Sequence, residues 1–67
     1  MTDAKLLKSA MALNGLNQRE LAEKMGISQM TLSNKMTNKV EFTASEIRKI
    51  ADILGLGNTE VMNTFMN

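Results

Sequence analysis

Apolar residues recur along the chain at i, i+3 and i+4 in five separate bursts, each bounded by Asn, Ser, Thr or Gly, and that spacing predicts helices rather than strands. The first runs about Asp3 to Leu13, where Leu6, Leu7, Ala10, Met11 and Leu13 supply a broad apolar stripe and Asn14-Gly15 closes it. Asn17 is placed to cap the second, with Glu20 three residues on as its capping-box partner and Leu21, Ala22 and Met25 as its buried face. Gly26 ends that helix where a left-handed residue costs least, so the chain can turn before Ser28 caps the third. The third helix is expected from Ser28 to Thr37, with Leu32 and Met36 inward and Asn38 taking a left-handed cap.

A polar connection from Thr37 to Glu41 leads to Phe42, a hydrophobic staple before the cap Thr43 and its partner Glu46. Helix four follows with Ile47, Ile50, Ala51 and Leu54 inward. Gly55 and Gly57 break it, Asn58 is expected to cap the fifth, and Val61, Met62, Phe65 and Met66 give that last helix a wide apolar face. Glu20 with Lys24 and Lys49 with Asp52 read as surface pairs worth a few tenths of a kcal/mol, on the order of 0.3. No linker, repeat or low-complexity segment interrupts the series. The fold class expected is therefore all-α: one compact bundle of five short helices occupying 1–67 as a single domain.

Composition narrows the chemistry. The 67 residues include no Cys, His, Pro, Trp or Tyr, so no disulfide or soft metal ligand supports the core, and no imidazole base or cysteine nucleophile is available. An enzyme, a metal site and a cofactor are not expected. Lys5 precedes the apolar stretch Leu6 to Leu16, but Lys8, Ser9 and Asn14 interrupt it, so neither a signal peptide nor a membrane span is expected. The lack of thiols agrees with a cytoplasmic setting. Net charge is only +1, yet its distribution is uneven: residues 28–40 carry Lys35 and Lys39 with no acid, while residues 41–67 hold four acids against Arg48 and Lys49.

Helices two and three, joined by Gly26-Ile27, must cross steeply, and Ala22 is the small residue such a crossing needs. With Leu21, Met25, Ile27 and Leu32 buried, the pair forms a helix-turn-helix whose second member stands proud enough to enter a DNA major groove. At about 100° per residue, Leu32 and Met36 fall ~40° apart, and Met30, Ser33, Asn34 and Thr37 fall on the other side. That outward side is polar, uncharged and short-chained, where a merely solvated helix would carry Glu and Lys. Gln29 and Asn34 can make bidentate hydrogen bonds to adenine. Met30 stands between contact with a thymine methyl and simple tolerance of an outward Met. Lys35 and Lys39 flank the face, and the helix N-termini at Asn17 and Thr43 offer unpaired amides to phosphate.

The stretch Leu16-Asn17-Gln18-Arg19-Glu20-Leu21-Ala22-Glu23-Lys24-Met25-Gly26-Ile27-Ser28-Gln29 resembles the phage repressor and Cro-like helix-turn-helix family, through Gln18, Ala22, Gly26 and Leu32 in order, and Glu46 to Gly55 is similar to that family's fourth helix. The resemblance implies that Ser28, Gln29, Met30 and Asn34, with Ser33 beside them, read base edges, and that Asn17 and Gln18 lie against the sugar-phosphate backbone. It implies a homodimer, at least on DNA, on half-sites of a pseudo-palindromic operator about one helical turn, ~34 Å, apart. Val61, Met62, Phe65 and Met66 are the candidates for that dimer contact. It further implies a stand-alone transcriptional repressor of the Cro kind, of phage or prophage type; no small-molecule effector is evident in the sequence. Two positions depart from the family: Lys35 stands where an apolar residue is usual, so either Met36 takes over the packing or the lysine stem covers the core with its head outside, and Asn38 replaces a common glycine. The alternative reading is a helical protein-interaction module, or an antitoxin-type regulator, that uses the C-terminal apolar face.

Overall fold

The computed structural model describes residues 1–66, and in them five helices follow one another with no strand: α1 (Ala4–Leu13), α2 (Gln18–Met25), α3 (Gln29–Met36), α4 (Ala44–Leu54) and α5 (Asn58–Phe65). Local chemistry sets most boundaries. Asp3 caps α1 by accepting from the Lys5 and Leu6 amides at 3.0 and 3.1 Å. Asn17 and Glu20 form a reciprocal capping box on α2, and Thr43 and Glu46 do the same on α4. Gly26 and Gly55 close α2 and α4 in the left-handed region, with φ of 73° and 68°. A glycine reaches that region without the penalty a Cβ would incur.

One core lies between the helices. Leu7 and Met11 of α1, Leu21, Ala22 and Met25 of α2, Leu32 and Met36 of α3, Ile50 and Leu54 of α4, Phe65 of α5 and the connecting Phe42 are all buried together. Phe42 and Phe65 meet edge to face, with centroids 5.3 Å apart and an interplanar angle of 80°, an arrangement the ring quadrupoles favour. Phe42 thus reaches beyond the staple expected of it and joins the α3–α4 connection to α5.

Three expectations are corrected. Leu6 and Leu13 do not belong to the core stripe: they are 43% and 89% exposed. At about 100° per residue both lie ~100–120° to one side of Leu7, outside the arc that Leu7 and Met11 bury. Asn58 does not cap α5 but is its first residue. The cap is Gly57, whose amide donates to Glu60 Oε1 at 2.8 Å, so only the half of the capping box that needs no cap side chain is present. The expected Glu20–Lys24 and Lys49–Asp52 pairs are not formed among the described residues. Glu20 is occupied by the Asn17 amide at 3.0 Å, and Lys49 Nζ points to the Met25 carbonyl at 3.4 Å.

Side chains also tie distant segments together. Asn14 Nδ2 donates to the carbonyls of Ala10 at 2.9 Å and Leu54 at 3.1 Å, joining the ends of α1 and α4. Asn38, at φ 66°, accepts from the Thr2 amide at 2.8 Å and donates to the Thr2 carbonyl at 3.0 Å. The Asp3 amide donates to the Thr64 carbonyl at 2.6 Å. The N-terminal residues therefore strap the end of α3 to the end of α5. No helix of the described residues is long and apolar enough to cross a membrane.

Candidate nucleic-acid interface

The α2–α3 corner is built from its turn outward. Gly26 reverses the chain, the Ile27 amide returns to the Ala22 carbonyl at 3.1 Å, and Ser28 then starts α3 by accepting the Thr31 amide at 3.0 Å. Leu32 is fully buried and Met36 nearly so, and they anchor one side of α3. The other side is left to solvent: Gln29, Met30 and Thr31 are exposed, Met30 to 75%, while Ser33 and Asn34 are half-buried. The side chains of Gln29, Met30 and Asn34 make no hydrogen bond or ion pair among the described residues, so their polar groups are free for an external partner. This helix carries no acid.

Ser28 is more committed than the sequence suggests. Its hydroxyl donates to Thr31 Oγ1 at 2.8 Å while its oxygen holds the Thr31 amide, so capping is its first task. Thr31 itself was not among the expected contacts, although it is exposed on the first turn of α3. Its place about one-third of a turn from Met30 was the available signal. Asn34 contributes twice, because its carbonyl accepts the Lys39 amide at 2.9 Å and the Val40 amide at 3.2 Å, fixing the loop that carries Lys39. Lys39 is exposed.

Flanking this face are two helix starts. Asn17 is exposed and Gln18 half-buried at the start of α2, and Asn17 Oδ1 is spent on the Glu20 amide at 2.8 Å, leaving its Nδ2 without a partner among the described residues. Thr43 is exposed at the start of α4, its hydroxyl oxygen 3.2 Å from the Glu46 amide and 3.2 Å from Ser45 Oγ.

Lys35 is placed differently from the expectation of a phosphate contact. Its side chain is only 11% exposed, and Nζ lies 2.6 Å from Glu46 Oε1. The same oxygen accepts the Thr43 amide at 2.9 Å. The open choice is thereby resolved toward Met36, which packs in the core, while the Lys35 head does not lie outside as the other alternative had it but turns to a carboxylate. Burial pushes the Glu46 carboxyl up, but the Lys35 ammonium and the Thr43 amide and hydroxyl outweigh it and hold the group below its ordinary value. Nothing in the local sequence marks this pair, whose members are eleven residues apart on different helices.

At the C-terminal side, Val61 is half-buried, and Met62 and Met66 are 60% and 63% exposed. Phe65 leaves the candidate dimer set: it is 5% exposed, held in the core by Phe42. A groove between α4 and α5 brings Val61 and Met66 together with Ile47, Ala51 and Leu56, and Arg48 and Asp52 also line it. Neither of those charges is in an ion pair among the described residues.

No curated protein matches the chain. The family described as helix-turn-helix matches over residues 7–59, which runs from within α1 to the start of α5 and includes the whole α2–α3 corner. On that match and this geometry, the chain belongs to the lambda repressor and Cro-like helix-turn-helix family of DNA-binding regulators.

Proposed function

We propose that this chain is a sequence-specific transcriptional regulator of double-stranded DNA, a Cro-type repressor of phage or prophage kind, that lays α3 in the major groove. The observation that carries the reading is the uncharged outer face of α3, with the side chains of Gln29, Met30 and Asn34 unbonded among the described residues and Leu32 and Met36 buried beneath them. Gln29 and Asn34 pair with adenine edges, Met30 and the Thr31 methyl touch thymine, and Ser28 and Ser33 contribute secondary contacts. Asn17, Gln18, Lys39 and Thr43 meet phosphates around this face.

The regulator acts as a symmetric dimer on a pseudo-palindromic operator, joined through Val61, Met62 and Met66 and the α4–α5 groove. An isologous contact puts each surface against its own copy, so Arg48 of one subunit can meet Asp52 of the other. Selection of bound duplexes from a random pool at fixed salt tests the reading. The expected product is two inverted half-sites about one helical turn apart, ~34 Å. A pool with no enrichment over its input would reject sequence-specific binding, and a single unrepeated half-site would reject the dimer.

The exposed Met62 and Met66 also support a second reading, in which this face binds the helix of another protein. Under it, Val61→Asp abolishes function while DNA affinity is negligible in the parent and variant alike.

A further inference from the structure

The two elements proposed to face DNA, the side chains of α3 and Thr43 at the start of α4, have to be held in one register. Yet α3 rests mainly on α2, and its backbone shares little direct packing with α4. The polar link between them is Lys35. Its ammonium and the Thr43 amide converge on the same oxygen, Glu46 Oε1, at 2.6 and 2.9 Å, with the Lys35 and Glu46 side chains 11% and 20% exposed. One carboxylate oxygen thus fastens the penultimate residue of α3 to the cap of α4. The other ion pair among the described residues, Arg19–Glu23, stays within α2 with both side chains 65% exposed. Pairs of that open kind contribute little, whereas a pair held largely out of water is screened less by salt, and removing one member leaves the other charge uncompensated.

We infer that Lys35 is a positioning residue and not a phosphate contact: through Glu46 it sets the placement of α3 against the start of α4, and so how well both meet one duplex. The inference rests on the DNA-binding reading above for its consequence, but the latch itself belongs to the free protein.

Lys35→Met keeps the apolar stem and removes the ammonium. Glu46→Gln keeps an acceptor for the Thr43 amide and removes the charge. Lys35→Arg keeps a cation within reach of Glu46. For each variant two quantities are read: backbone amide exchange in the free protein, and affinity for the duplex recovered by selection across a range of salt. In Lys35→Met and Glu46→Gln the amides of residues 32–36 are expected to exchange about tenfold faster relative to those of α1. Affinity is expected to fall about tenfold with the slope of log K against log salt unchanged, and the double variant to be no worse than either single one. Lys35→Arg is expected to match the parent.

A slope flatter by about 0.9 in Lys35→Met, with Glu46→Gln at the parent value, would assign Lys35 to a phosphate and overturn the inference. Parent-like exchange in Lys35→Met would overturn it as well. Should the parent bind no duplex, the DNA reading is what fails, and the exchange measurement alone decides the latch.

Discussion

Glu46 carries two tasks on one side chain, and does both from a partly buried place: it completes the α4 capping box and it accepts Lys35. Because its carboxyl titrates below the ordinary value in the folded chain, the charged form favours folding. That contribution is complete above the ordinary glutamate value, about 4.3, and is lost as pH falls through the lower folded value. The stability gap between parent and Glu46→Gln, measured by denaturant unfolding, is therefore expected to be full at neutral pH and to shrink as the solution is acidified below that value. A gap independent of pH would contradict the assignment. Asn38 combines a left-handed backbone with a two-point grip on Thr2. Asn38→Gly keeps the backbone and loses the grip, whereas Asn38→Ala loses the grip and adds the left-handed penalty, so the alanine variant is expected to unfold first, by about 1–2 kcal/mol relative to glycine. Equal midpoints in thermal unfolding would contradict this. The positive φ was legible, since Asn stands where a turn was needed. The grip was not, because Thr2 lies 36 residues away and no local pattern records it.

Helices were the most legible scale, for a physical reason: a cap is a contract between residues two or three apart. Asn17/Glu20, Ser28, Thr43/Glu46 and Gly26 could all be placed from spacing alone, and they form as expected. The exceptions follow from the same reasoning. Asn58 carried a good capping side chain, yet Gly57 holds the cap because Glu60 can serve a glycine amide directly. Leu6 and Leu13 satisfied an apolar count but not the arc that the other helices cover. The α2–α3 corner itself depends on Gly26. A Cβ built there meets no atom within 4 Å, so Gly26→Ala is expected to cost only the left-handed backbone penalty, about 1–2 kcal/mol, without a packing defect. Thermal unfolding measures it. Leu32→Ala, by contrast, removes a fully buried anchor beneath the outer face of α3 and is expected to cost about 2–5 kcal/mol.

For the whole molecule, the order of helices and the presence of one shared core followed from periodicity, while the ties that close it did not. Phe42 against Phe65, Asn14 against the Leu54 carbonyl and Lys35 against Glu46 join residues on different elements, and the first and last of these changed the role of a residue, Phe65 and Lys35, that sequence alone had placed at an interface. Phe65 is the clearest case: it moved from the dimer set into the core, leaving Val61, Met62 and Met66 as the apolar candidates. Since Met62 is 60% exposed, Met62→Asp is expected to change monomer stability by no more than about 0.5 kcal/mol while abolishing cooperative occupation of paired half-sites. Sedimentation and band-shift titrations would show this, and unchanged cooperativity would contradict the proposed dimer contact at this face.

The outer face of α3 is the most direct thing to test. The measurement is the ratio of affinities for the selected and a random duplex, at one salt concentration, for the parent, Asn34→Ala and Lys39→Ala. Asn34→Ala is expected to lower that ratio by the worth of one bidentate contact, about 1–3 kcal/mol, with affinity for the random duplex unchanged. Lys39→Ala is expected to weaken both duplexes alike and leave the ratio intact. A ratio that stays at the parent value in Asn34→Ala would contradict base reading by this helix.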